Sequence, residues 1–257
     1  MTRTTTADRT VVLALESATD VAGVALADAT GTLASVSSGV RRRHAETIVP
    51  AVDFVCRMAN VELASIRAVA VDVGPGLFTG LRVGVASAKA FAFALGVPVV
   101  TATSLELLAR AAADAVVVQE ATVVSVVDAR RGELFVQFFR PGPDGVEPVG
   151  DATRQTPEGL AAALRAVGEP AVVVGDGACR YEPVLRGIPG TTVAGAVLAH
   201  PPVAGLAALG VARADKGDVR DGASVVPWYL RDADTRINWE RRARRPAPGE
   251  VTPEAVV

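Results

Sequence analysis

The 257-residue chain is short of the side chains that most often carry chemistry: it has two cysteines, Cys56 and Cys179, and two histidines, His44 and His200. Neither the number nor the spacing of the cysteines describes a disulfide framework or a zinc site. There is no His-x-x-x-His, no Cys-x-x-Cys and no Gly-x-Ser-x-Gly elbow. A lone histidine is ordinarily a surface or capping residue, and His44, beside Glu46 near a helix start, reads as a cap or a surface pair. Aromatic residues make up 4% of the chain and the formal net charge is −2, so no global field draws it to nucleic acid or an anionic membrane. The N-terminal MTRTTTADRT lacks the apolar core of a secretory signal. Lys89, Gly96 and Pro98 break the longest apolar run, so no membrane span and a cytoplasmic location are expected.

Apolar residues, by contrast, make up 50% of the chain. Alanine, valine and leucine supply them, a composition suited to helices packed on sheets, in one domain or two small lobes. Basic residues cluster at Arg41–Arg43 and at 241–245, which reads as solvated chain or as an RNA-facing patch of an assembly.

Residues 11–16, 21–28 and 32–38 alternate with turn signals and predict a three-stranded meander. Residues 44–59 place Ile48, Val52, Val55, Cys56 and Ala59 at helical spacing, and Pro50 moves the expected start of the regular helix to Thr47. A strand at 66–74 runs into GPGLFTGLR, and a helix is expected over 79–95 with Thr79 as its cap and Gly96 as its stop. Only Arg82 and Lys89 are charged in that helix, so it must be covered on more than one side. Further expectations are a strand at 97–103, a helix at 104–115, two strands over 122–140 around DARRGE, and a Pro/Gly loop at 141–151. A helix at 157–168, a strand with a glycine turn at 171–178 and a helix within 198–217 complete the pattern. The strand–helix order starts again after residue 120.

Three segments are candidates for chemistry. The glycine turn GPGLFTGLR stands where phosphate loops stand, yet it is neither GxxxxGK[ST] nor GxGxxG. Tight turning and close helix–strand packing are the simpler use of its glycines. The hairpin ESATD, Glu16 to Asp20, has a carboxylate and hydroxyls that could face a phosphate, although Ala18 sits where a glycine is wanted. Asp128, Arg130 and Glu133 put three charges at a strand junction, suited to a ligand or a neighbouring loop.

The stretches VVLALESATDVAGVAL, HAETIVPAVDFV, AVDVGPGLFTGLRVGVASAKAFAFALGVPVV, SLELLA, VVDARRGELF, VVGDGA and PWYLR follow the order seen in the TsaB (YeaZ) family of the glycoprotease-like M22 group, which the chain resembles over residues 11–231. The resemblance implies an α/β fold of the actin-like ATPase (ASKHA, ribonuclease H-like) type, two lobes of mixed sheet flanked by helices. An N-terminal lobe with partner-docking helices is expected over 1–105. A second lobe and a returning C-terminal helix take 106–237, and 238–257 is expected to be a disordered tail.

The resemblance also implies a non-catalytic subunit, with no catalytic residue and no metal site of its own. It would bind and activate TsaD, which with TsaE transfers threonylcarbamoyl from threonylcarbamoyl-AMP to N6 of adenosine 37 of tRNAs reading ANN codons. ATP and a metal are then used by the partner subunits, and tRNA is met through the complex. TsaD-type chains carry an N-H-L-E-G-H run after the strand equivalent to 97–103. Here that run is TSLELL, with Ser104 and Leu108 at the two histidine positions, and leucine cannot ligate a metal. Glu16, Ser17 and Thr19 become a vestigial nucleotide hairpin. The docking surface, toward TsaD or a second copy, is expected at Ile48, Val52, Val55, Gly84, Ser87, Ala88 and Phe91. A second hypothesis is an ATP-dependent, kinase-like phosphotransferase on the same fold, resting on ESATD and the glycine turns.

Overall fold

The computed structural model describes residues 10–40, 43–115, 121–143 and 145–230. Arg41, Arg42, the 241–245 cluster and the expected tail lie outside the described residues.

Strands β1 (Val11–Glu16), β2 (Ala22–Asp28) and β3 (Gly31–Ser38) form an antiparallel meander. Strand β4 (Ile66–Asp72) lies parallel to β1, and β5 (Val99–Ala102) parallel to β4, giving the order β3-β2-β1-β4-β5. Every residue of β1 is buried, because both faces of this sheet are covered. Alternation assigns the faces. Leu13 and Leu15 point to the side covered by helices α1 (His44–Ala59) and α2 (Phe78–Leu95), with Ile48, Val52, Val55, Val85 and Ala88 opposite. Val12 and Ala14 point the other way, against α7 (Val203–Asp215). The smaller side chains there allow close approach: a Cβ on Gly210 of α7 would stand 2.8 Å from both Ala70 Cβ and Val12 Cγ1.

The second sheet repeats the first. Strands β6 (Thr122–Arg130), β7 (Glu133–Gly142) and β8 (Gly145–Gln155) are antiparallel. Strand β9 (Ala171–Val174) runs parallel to β6 and β10 (Thr191–Val193) parallel to β9, in the order β10-β9-β6-β7-β8. Helix α3 (Ser104–Asp114) covers one face through Leu105, Leu108, Ala109 and Ala112. Its Leu107 joins the α7 side of the first sheet, so α3 is wedged between the lobes. Helices α4 (Pro157–Val167), α5 (Asp176–Arg180) and α6 (Glu182–Leu185) cover the opposite face. This is the two-lobed, mixed α/β architecture of actin-like folds, with α7 packed on the first sheet.

Three local expectations are corrected. Helix α1 starts at His44, not Thr47, with the Thr47 N–H donating to the Arg43 carbonyl at 3.0 Å. Pro50 is tolerated inside it because residues 46 and 50 are exposed, so the carbonyl that loses its N–H partner faces water. Thr79 does not cap α2: the N-cap is Leu77, which has no side-chain bond to give. The 141–151 stretch is not a loop. It ends β7 and begins β8, an edge strand in which Pro148 pairs with Phe139, and edges are where a sheet accepts proline.

Among the described helices α2 alone has the length and hydropathy of a membrane span. Gly80, Leu81, Gly84, Val85, Ala88 and Ala92 are buried in the chain's own core, so one side of α2 is committed to the sheet.

Candidate functional site

The β1–β2 hairpin and the glycine turn fill each other. Gly76, Gly80 and Gly84, spaced by four, line one side of the α2 entry. A Cβ on Gly76 would overlap the Ala18 carbonyl oxygen, one on Gly80 the Ser17 carbonyl oxygen, and one on Gly84 the Ser17 hydroxyl. The Leu77 N–H donates to the Ala18 carbonyl at 2.7 Å, and Ser17 Oγ donates to the Gly80 carbonyl at 2.9 Å. Donors that could hold an anion are turned to the protein's own backbone. The turn has a cis Gly74–Pro75 bond, and Gly74, at φ 104°, adopts a conformation that favours glycine.

Behind the hairpin lies a buried carboxyl pair. Asp72, at the end of β4, accepts from the Gly74 N–H at 2.7 Å, and Ser104 Oγ lies 2.7 and 2.9 Å from its two oxygens. Glu16 accepts from the Ala18 N–H at 2.7 Å. Its second oxygen, Oε2, is buried without a conventional partner. Burial, then the Asp72 charge, pushes the Glu16 carboxyl well above the usual range. Burial raises Asp72 to about 6, against the Gly74 and Ser104 donors and the hydrogen bond from Glu16. A proton held on Glu16 toward Asp72 leaves neither group an isolated buried anion. Ser104 thus serves Asp72, and Leu108 is fully buried among core residues of the second lobe.

Across the hairpin, the second sheet supplies a charge cluster. Arg130 Nη2 lies 3.1 and 3.2 Å from the Asp20 oxygens, and Nη1 donates to Asp128 at 3.0 Å. Arg180 donates to the same Asp128 oxygen at 3.1 Å. The Asp128 N–H donates to Asp176 at 2.9 Å. Burial raises the Asp176 carboxyl, opposed by that N–H and by the nearby His200. His200 Nδ1 lies 3.1 Å from Thr19 Oγ1. Thr19, His200 and Asp176 have the make-up of a hydroxyl–imidazole–carboxylate relay, but Thr19 is 1% exposed and its oxygen is closed to a substrate. Glu133 pairs instead with Arg154 at 3.4 Å.

The fold implies a nucleotide between the sheets, and the turn does not fit one: the Leu77 N–H and the Ser17 hydroxyl, which could face a phosphate, are bonded to the Ala18 and Gly80 carbonyls, and the Arg130 guanidinium is held by Asp20 and Asp128. No phosphoryl step follows from this arrangement.

The predicted docking residues fall into two groups. Ile48, Val52, Val55, Gly84 and Ala88 are buried in the chain's own core and offer no surface. They lie on the sheet side of their helices, which periodicity alone does not tell from the outer side. Ser87 and Phe91 are half-buried. The outward row of α2 is Phe78, Arg82, Ala86, Ala90 and Phe93, with Phe93 91% exposed. On α1 it includes Val49, Phe54 and Met58. At the start of α2, Arg82 lies 3.9 Å over the Phe78 ring and donates to Tyr229 Oη at 3.2 Å. His44 is also corrected: it is buried near Gly80, while Glu46 pairs with Arg43.

Residues 33–161 match the family model described as TsaD, tRNA N6-adenosine threonylcarbamoyltransferase. The Haemophilus influenzae tRNA threonylcarbamoyladenosine biosynthesis protein TsaB is 33% identical over 124 residues, which span 48% of this chain and 51%, about half, of that protein. The Bacillus subtilis protein of the same name is 24% identical over 233 residues, 89% of this chain and 97% of that one. A Pseudomonas aeruginosa crystal structure, described as similar to peptidase YEAZ, superposes with a TM-score of 0.76 at 26% identity, over 86% of this chain and 100% of that one. The family match covers half of the chain, and the chain belongs to the tRNA N6-adenosine threonylcarbamoyltransferase (TsaD) family, among its TsaB/YeaZ members.

Proposed function

We propose that this chain is a non-catalytic subunit of a tRNA threonylcarbamoyladenosine-forming complex, in which it docks onto and activates a TsaD-like transferase. The transferase would move threonylcarbamoyl from threonylcarbamoyl-AMP to N6 of adenosine 37 of tRNAs reading ANN codons, with ATP and metal used by it and by a TsaE-like ATPase in the cytoplasm. The observation that carries the reading is α2. Its inner side is spent on the sheet while its outer side keeps aromatic residues at both ends and alanines between them. Small central residues let a partner helix approach closely, and exposed aromatics with an arginine are the side chains that dominate interfaces. The hairpin packed into the glycine turn supports the same reading, because it leaves the chain a surface to offer rather than a phosphate loop.

Co-purification with the TsaD homologue of the same organism, followed by size-exclusion chromatography, tests it. A complex that Phe93→Glu abolishes without unfolding the chain is the expected result. Elution of the two proteins apart at micromolar concentration, or intact tRNA threonylcarbamoylation after deletion of this chain, would sink it. A second copy on the same face appears as a homodimer in the same experiment.

A further inference from the structure

Four consecutive residues, Ser17 to Asp20, touch both halves of the molecule. Ser17 and Ala18 lie in the glycine trough of α2 and hold its first turn through the Gly80 carbonyl and the Leu77 N–H. Thr19 and Asp20 face the second lobe and hold His200 and Arg130. Arg130 opens a turn of three successive left-handed residues, Arg130 at φ 63°, Arg131 at 58° and Gly132 at 78°. Two of these are not glycine, and such backbone persists where its surroundings hold it. Asp128 binds Arg130 from its own strand, so the guanidinium keeps a partner if Asp20 leaves. Arg130 thus bonds across the lobes and within the second lobe at once, through different nitrogens.

We infer that Ser17–Asp20 is a connector that ties the closure of the lobes to the position of the α2 first turn, so that the Asp20–Arg130 bridge tunes the docking face and a partner on that face tightens the bridge. The partner half of this statement rests on the docking reading above; the connection within the chain does not. Coupling of this kind is reciprocal between the two sites.

Residue-resolved amide exchange on the full chain tests the connector, comparing wild type with Asp20→Asn, Arg130→Gln and the double variant. The Leu77 amide, bonded to Ala18, is the reporter, and the amides of α7 show that the fold is intact. Each single substitution is expected to speed exchange at Leu77 by about fivefold or more, with no further gain in the double variant. Affinity for the TsaD homologue is expected to fall about five- to tenfold in Asp20→Asn, although residue 20 is on neither docking helix. Unchanged exchange at Leu77 in both single variants overturns the connector. Faster exchange at Leu77 with a wild type that does not bind TsaD supports the connector and sinks the docking reading.

Discussion

Ser17 Oγ donates to the Gly80 carbonyl at 2.9 Å, and the two backbones are so close that a Cβ on Gly80 would overlap the Ser17 carbonyl oxygen. A turn that looks built for phosphate is built for a hairpin. Gly80→Ala must push one backbone off the other, and overpacking of this kind costs about 1–3 kcal/mol or more. In a chain of this size, each kcal/mol corresponds to a drop in Tm of about 2–4 °C. Gly39→Ala, with nothing within 4 Å of the new methyl, is expected to leave Tm nearly unchanged. Thermal unfolding of the two variants side by side checks this, and equal Tm values would remove the packing argument. At Gly84 the obstacle is the Ser17 hydroxyl itself, so Ser17→Ala is expected to relieve part of the cost of Gly84→Ala.

The Glu16–Asp72 pair makes a statement about pH. Both folded values are raised, Asp72 to about 6, against about 4 for unfolded carboxyls. The folded state binds more protons over that window. The pair's contribution to stability is therefore present below about pH 4 and lost as pH rises through 6. Asp72→Asn removes the Asp72 titration while keeping the shape, and leaves Glu16 with the rise that its own burial gives it. The urea midpoint of wild type relative to Asp72→Asn should rise between pH 7.5 and pH 5. A difference that stays flat or reverses sign would show that the pair does not share a proton.

The two sides of the docking helices should respond differently. Phe93 is 91% and Met58 66% exposed, so glutamate at either is expected to change stability by less than about 0.5 kcal/mol. Val52 is 4% exposed, and Val52→Glu buries an unpaired carboxyl at a cost of several kcal/mol, about 2–7 by transfer measurements. Chemical denaturation of the three variants decides which side faces out.

The resemblance to TsaD-type chains puts Leu108 where they carry a second histidine. Restoring imidazoles with Ser104→His and Leu108→His is expected to unfold the second lobe rather than create a metal site. Leu108 is fully buried, and a polar imidazole without a partner there is one of the changes that destabilise a core most. Ser104→His also takes from Asp72 its hydroxyl donor. A well-folded double variant that gains zinc affinity by calorimetry would contradict this.

Much of the framework is legible in the chain itself. The apolar run VVLALE, the turn residues of DATG and the 3.6-residue spacing after His44 are local signals, and each matches an element at that place. The restart of the pattern after residue 120 matches the second sheet. Strand β8 escaped because glycine, proline and charged residues hide an edge strand whose hydrogen bonds come from a neighbour. Asp128 and Arg130 stood out as charges at a strand junction, but nothing nearby in sequence named Asp20, 110 residues away, as the partner.

The amino-acid order by itself determined most of the elements and the apolar character of α2, which follow from periodicity and residue chemistry acting over a few residues; that Ser104 and Leu108 stand at histidine positions is what the resemblance to TsaD-type chains implies. Only the tertiary structure decided which side of α2 is spent on the sheet and that three glycines seat Ser17 and Ala18. It also decided that Thr19 meets His200, 181 residues on, and that Asp20 closes on Arg130. Those contacts depend on how two sheets pack across the chain, and an amphipathic period does not carry that information.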